Sequence, residues 1–147
     1  MLKLFTKSTR NQNSEVDQFY SQFSEEQKAA IICNLFVMMA ADGNLHGNEK
    51  NLLNSICDSF SMPLEDIAVT KLARKGAEYA STILNDMELS QKEWYIMLLY
   101  SMMYADGHAD EEEIDLLIHL AEQIGVSQEQ CAKIIEKSIS IMNQFIK

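Results

Sequence analysis

Hydrophobic residues recur along most of the chain at the spacing of helix faces, and polar residues interrupt them everywhere. The two most apolar stretches are 31–39 and 94–103. In each of them the apolar residues cover so much of the helix circumference that a central position in the core is expected. No window alternates apolar and polar residues with enrichment in β-branched types. The pattern therefore predicts an all-α fold.

Local signals predict where these helices begin. Capping boxes, in which a helix-starting side chain is followed three residues later by Gln or Glu, begin at Ser24, Ser90, Asp110 and Ser127. Pro63 suits a first helical turn, where its missing N–H costs nothing. The signals predict about seven helices, near 14–22, 24–41, 46–60, 63–85, 90–105, 110–124 and 127–146.

The chain also resembles itself at a distance. The segment LFVMMAADGNLHGNEKNLL, which begins at Leu35, aligns with LYSMMYADGHADEEEIDLL, which begins at Leu99, and the register continues without a gap to Ala68 and Ala132. Such self-similarity is typical of a duplicated unit. We predict two tandem three-helix units, at about 24–75 and 88–139, related by a pseudo-twofold axis. They form one helical bundle over residues 14–147, preceded by a mobile segment, 1–13.

Each predicted unit carries an Asp-Gly turn between its first two helices, with Glu six residues after the Gly. Gly permits the backbone that ends a helix, and Asp can hold the turn by local hydrogen bonds, so a structural role needs no metal. A calcium-binding EF-hand has the same Gly-to-Glu spacing. The first and third positions of such a loop would be Met38 and Ala40 in the first turn, and Met102 and Tyr104 in the second. Of these four side chains only that of Tyr104 contains an oxygen atom. An ordinary EF-hand is therefore excluded.

A metal site of another geometry is the alternative to a purely structural turn. Twofold packing would bring together the acidic residues of both turns, namely Asp42, Glu49, Asp106 and Glu113, with Asp110 and Glu112 as weaker candidates. Calcium, magnesium and manganese prefer such oxygen ligands. His46 and His108 lie in the same turns and are weaker candidates for a transition metal. Acidic residues in a first helical turn also stabilise the helix dipole, so both interpretations stay open.

The charge and the cysteines limit the range of partners. The formal net charge of −10 repels nucleic acid and anionic lipid and favours cations or basic partners. No stretch approaches the roughly 18 apolar residues of a membrane span, and the start lacks the features of a signal peptide. Cys33, Cys57 and Cys131 are odd in number and lie beside apolar residues, which is typical of reduced, packed thiols. We expect a cytoplasmic protein.

No nucleophile elbow, phosphate-binding Gly-rich loop or metalloprotease motif occurs in the sequence. A metal-dependent hydrolase is a poor interpretation, because a few acidic residues without a base or a substrate cleft do not make a catalytic site. We therefore expect no enzyme activity.

The segments VMMAADGNLHGNEKNLL and SMMYADGHADEEEIDLL resemble the tellurite-resistance TerB family, including the TerB-like domain that precedes the J-domain in some membrane-anchored co-chaperones. The resemblance covers roughly 24–140. It implies an all-helical bundle whose acidic residues, here Asp42, Glu49, Asp106 and Glu113, bind a divalent metal. The first turn departs from the second, because Asn48 stands in place of Glu112 and His46 in place of Asp110.

These observations predict a non-catalytic, TerB-like module that binds a divalent cation, calcium, magnesium or manganese, through its paired turns. The resemblance implies that it acts through protein partners in a stress- or tellurite-resistance-type system. Three scattered cysteines do not supply the redox chemistry of tellurite reduction. The alternative is a structural protein–protein interaction domain with no metal. We expect neither nucleic-acid binding nor direct membrane insertion, and a homodimer is left open.

Overall fold

The fold is a bundle of α-helices, with no strand among the residues that the structure describes. The structure, a computed structural model, describes residues 18–41, 47–105 and 109–146. Residues 18–21 are helical, and seven helices follow: α1 (Glu25–Ala40), α2 (Gly47–Phe60), α3 (Ile67–Lys75), α4 (Ala77–Leu84), α5 (Leu89–Met103), α6 (Glu111–Gln123) and α7 (Gln128–Ile146). The all-α prediction is confirmed. The predicted mobile segment 1–13 lies outside the described residues.

Helices α1 and α5 form the centre of the core, as their apolar content predicts. Their fully buried side chains include Ile31, Ile32, Leu35, Ile96, Leu98 and Leu99. Burying each such side chain contributes roughly 1.5–3 kcal/mol. Phe36 is an exception within α1, because 41% of its surface is exposed.

An aromatic cluster closes one end of the bundle. Trp94 lies 5.3 Å from Phe23 and 5.5 Å from Phe19, measured between ring centroids, and Phe60 lies 5.5 Å from Tyr20. Phe60 is the last residue of α2, and Trp94 lies in the first half of α5. The cluster therefore fixes residues 18–23 at the end of the bundle opposite to the start of α2.

Three of the four predicted capping boxes are confirmed, those that begin at Ser24, Asp110 and Ser127. The prediction at Ser90 is wrong. Helix α5 begins one residue earlier, after Glu88, whose backbone N–H donates to the side chain of Gln91 at 2.9 Å. Glu88 occupies the N-cap position, where a shorter polar residue is usual. The sequence prediction was therefore drawn to Ser90, a more typical N-cap residue, two positions later.

The prediction of a single helix over 63–85 is also wrong, because the chain forms two helices, α3 and α4, with a sharp break at Gly76. Gly76 has φ +95° and ψ 167°, a conformation essentially restricted to glycine. Pro63 does not lie in a first helical turn. It precedes α3, which starts after Asp66. The side chain of Asp66 caps this helix by accepting a hydrogen bond from the N–H of Ala68 at 2.9 Å.

The helix contacts follow the register of the sequence repeat. Helix α1 contacts α2 and α3, and α5 likewise contacts α6 and α7. Across the bundle, α1 contacts α5, α2 contacts α5, and α1 contacts α6. Helix α4 has no counterpart in this scheme and packs on α1, α3 and α6. The boundaries of the two predicted units stay a prediction from the sequence.

Candidate functional site

The candidate site lies where α1 leads into α2 and α5 leads into α6. Four of the predicted site residues, Asp42, His46, Asp106 and His108, lie outside the described residues. The structure does describe the glutamates that begin the next helices, Glu49 and Glu113, and their neighbours. These neighbours include Asp110 and Glu112, the weaker acidic candidates.

Glu49 and Glu113 are almost completely buried. Their exposed fractions are 1% and 2%, and each is the third residue of its helix, α2 and α6 respectively. A carboxylate is costly to bury unless hydrogen bonds or a nearby cation compensate for its charge. The free N–H groups and the positive end of a helix dipole provide part of that compensation at this position. Two glutamates at repeat-equivalent positions therefore meet the same unusual environment.

The start of α6 is held by a reciprocal capping box. The side chain of Asp110 accepts a hydrogen bond from the backbone N–H of Glu113, and the Asp110 N–H donates to Oε1 of Glu113 at 3.2 Å. Asp110 is half-buried, whereas Glu111 and Glu112 are exposed. Asp110 thus has a structural role in starting α6, and Glu112 is open to solvent.

A hydrogen bond connects the start of α2 with the end of α5. Nδ2 of Asn48 donates to the carbonyl oxygen of Ala105 at 2.9 Å, across 57 residues of sequence. Asn48 immediately precedes Glu49, and Ala105 immediately follows the end of α5 and its cap. The bond shows that the start of α2 and the end of α5 lie side by side.

Sequence reasoning missed this role of Asn48. We noted it only as a missing acid, since Glu112 occupies the corresponding place in the second unit. An ionised carboxylate has no proton to donate to a carbonyl oxygen, whereas an amide has two. The departure from the acidic pattern therefore has a structural reason, although only a long-range contact reveals it.

Within 18–41, 47–105 and 109–146, no group of three or more His, Cys, Asp or Glu side chains could hold a metal ion. Glu49 and Glu113 alone do not complete a coordination shell, because calcium takes six to eight oxygen ligands and magnesium six. Any cation at these turns would need further oxygen atoms, from Asp42, Asp106 or water.

The three cysteines lie within the helices α1, α2 and α7. Cys33, Cys57 and Cys131 are free and buried. Burial raises the pKa of all three thiols, and the carboxylates of Asp58 and Glu65 help to raise the pKa of Cys57 to about 11. The neutral thiol is a poor nucleophile and a poor metal ligand. These cysteines thus act as small hydrophobic residues at neutral pH.

Comparison with known protein families gives a match to part of the chain. The family model described as tellurite resistance protein TerB matches residues 3–72, which include the first Asp-Gly turn and Glu49. The resemblance is confirmed over this part of the chain, whereas Glu113 and the second turn lie beyond the match. No curated protein and no solved structure matches the chain. Among the described helices, none has the length and apolar character needed to cross a membrane.

Proposed function

We propose, from the match of residues 3–72 to the TerB family model, that the chain is a non-catalytic module that binds a divalent cation at its paired turns. The observation that carries this proposal is the burial of Glu49 and Glu113 to 1% and 2% exposure at equivalent helix starts. We further propose that the module is cytoplasmic and acts through protein partners in a stress- or tellurite-resistance-type system.

The residues suit a hard cation. Glu49 and Glu113 would hold it together with Asp42 and Asp106, while Asp110, Glu112, His46 and His108 are weaker candidates. Carboxylate oxygens favour calcium, magnesium or manganese over metals that prefer sulfur or nitrogen ligands. A bound cation would offset the charge of both buried glutamates and join the start of α2 to the start of α6; the Asn48–Ala105 bond, which joins the start of α2 to the end of α5, supports this arrangement.

The alternative function is a protein–protein interaction domain without metal. Two observations favour it: the Asp110–Glu113 capping box and the Asn48–Ala105 bond hold the helix ends of the candidate site with protein atoms alone. In that case Glu113 would serve only to cap α6. Glutamine can accept the same hydrogen bond as glutamate, because either residue completes a capping box.

This difference provides the test. Thermal unfolding of chelator-treated protein would be followed with and without calcium, magnesium or manganese, in the wild type and in Glu113→Gln. The variant keeps the capping box but loses a charged ligand. A cation present at a hundred times its Kd should stabilise the wild type by about 2.7 kcal/mol, an increase in Tm of several degrees. Glu113→Gln should lose most of this increase.

Glu111→Gln is the matched control, because Glu111 lies in the same helical turn, undergoes the same change of charge and is exposed. It should keep the cation-dependent increase in Tm. If no cation stabilises the wild type, the cation proposal is wrong and the interaction domain remains. Equal losses in both variants would show a diffuse charge effect and would also refute a site at Glu113.

A further inference from the structure

A groove of about 520 Å³ lies between α3 and the helices α1 and α4, and neither Glu49 nor Glu113 lines it. Its buried lining includes Ala29 of α1 and Leu72 of α3. Its outer lining is apolar too, because Ile67 is 71% exposed and Tyr79 is 42% exposed. We call this concavity the α3 groove. Large apolar side chains at the mouth of a concave surface are typical of a binding site.

The charge of the α3 groove is opposite to that of the whole molecule. Lys71, Arg74 and Lys75 all line it, so three of the twelve basic residues of the chain lie in one nine-residue helix that has no acidic residue. Among the described residues, Glu26 is the only carboxylate in the lining. The groove thus combines an apolar interior with a cationic edge in a protein of net charge −10.

These three cations have no carboxylate partner within the part of the chain that the structure describes. Lys75 instead makes a cation–π contact, since its Nζ lies 4.4 Å from the ring centroid of Tyr79. By contrast, Lys133 and Lys137 of α7 lie 3.7 and 3.8 Å from the carboxylates of Glu129 and Glu93. The cations of the groove are therefore available to a ligand.

We infer that the α3 groove docks an acidic segment of a partner protein that carries an apolar anchor residue. The anchor enters between Leu72 and Tyr79, and carboxylates beside it face Lys71 and Arg74. The concave shape suits a peptide side chain better than the broad surface of a membrane. The net charge of the chain does not prevent this, because at physiological salt charges more than about 8 Å apart are largely screened.

The inference rests on the proposed action through partners but not on cation binding, so the test is done with chelator present. The probe is a synthetic peptide with Leu and Phe at helical spacing among Glu residues, and a matched peptide has Gln in place of Glu. Binding is measured by fluorescence anisotropy and mapped by backbone amide chemical shifts. The Glu peptide should shift amides of α3 and α4, and the Gln peptide should bind about tenfold more weakly.

Variants decide whether the groove is responsible. Lys71→Glu with Arg74→Glu should weaken binding of the Glu peptide by at least about tenfold. Lys133→Glu with Lys137→Glu makes the same change of charge on α7 and should leave binding near the wild-type value. Ile67→Ser, at an exposed position, should also weaken binding, because it removes part of the apolar lining.

Three results would overturn the inference: shifts confined to other helices, no binding of either peptide, or equal weakening by the α3 and α7 variants. Vesicles that contain phosphatidylglycerol distinguish the membrane alternative. Binding of such vesicles through Lys71 and Arg74, without binding of the Glu peptide, would identify a lipid surface and refute a peptide site. Loss of peptide binding with an intact cation effect on Tm would leave the cation proposal standing.

Discussion

At the residue scale, equivalent positions of the two halves adopt the same left-handed backbone with different amino acids. Helices α2 and α6 end with equivalent backbone hydrogen bonds: Met62 N–H donates to the Cys57 carbonyl in the first half, and Val126 N–H donates to the Ala121 carbonyl in the second, each at 2.9 Å. The residue before each donor has a left-handed backbone. It is Ser61 in the first half, with φ +53°, and Gly125 in the second, with φ +81°.

Ser61→Gly should therefore stabilise the protein. A non-glycine residue in the left-handed region costs roughly 1–2 kcal/mol, and part of this is offset because glycine gains entropy in the unfolded chain. We expect an increase of about 0.5–1 kcal/mol in the free energy of unfolding, measured by urea denaturation. Ser61→Ala, which keeps the strained Cβ, should give no increase. A destabilised Ser61→Gly variant would contradict this interpretation of the turn.

Cys57 gives a prediction on pH. Desolvation, aided by Asp58 and Glu65, raises its pKa from 9.0 to about 11 in the folded state. Above pH 9 the unfolded chain loses this proton while the folded chain keeps it, so the free energy of unfolding falls as pH rises from about 9 to 11. The loss from this thiol is on the order of 2 kcal/mol.

Cys57→Ala removes this titration and should show a shallower fall over the same pH range, measured by denaturant unfolding at each pH. Its lower stability at neutral pH does not affect the comparison, because only the slope is compared. Parallel curves for the wild type and the variant would show that Cys57 does not titrate in this way.

At the scale of elements, local signals were sufficient where a helix start depends only on residues close in sequence. The boxes at Ser24, Asp110 and Ser127 are such cases. The break at Gly76 could not be predicted in this way, because a single glycine is tolerated within a helical pattern. Apolar residues at helical spacing continue across it, and Leu72 and Ala80 are both buried. Packing of α3 and α4 on α1 decides where the chain bends.

Gly76→Ala should destabilise the protein, although a Cβ at this position would meet no atom within 4 Å. The cost is conformational, since φ +95° with ψ 167° is nearly forbidden to other residues, and it amounts to about 1–3 kcal/mol. Gly47→Ala is the control. Gly47 also has open space around it but lies in the first turn of α2, so the change should be neutral or slightly stabilising. Equal effects of both changes on the midpoint of urea denaturation would contradict the proposed strain.

At the scale of the whole molecule, the Asn48–Ala105 bond brings the start of α2 beside the end of α5, whereas the meeting of the two Asp-Gly turns stays a prediction from the sequence repeat. The repeat could not predict that Glu49 and Glu113 are buried while Glu111 and Glu112 are exposed, because burial depends on neighbouring helices. The overall composition also gave no indication of the basic α3 groove. A net charge of −10 favours basic partners, yet the local charge of α3 has the opposite sign.

The stoichiometry of manganese binding tests whether the two halves share one cation site, as we propose. Free Mn²⁺ would be measured by electron paramagnetic resonance during titration of wild type, Glu49→Gln and Glu113→Gln. A shared site predicts one Mn²⁺ for each chain and a large loss of affinity in either variant, because both glutamates would hold the same ion. No binding by the wild type, or an unchanged affinity in both variants, would contradict it.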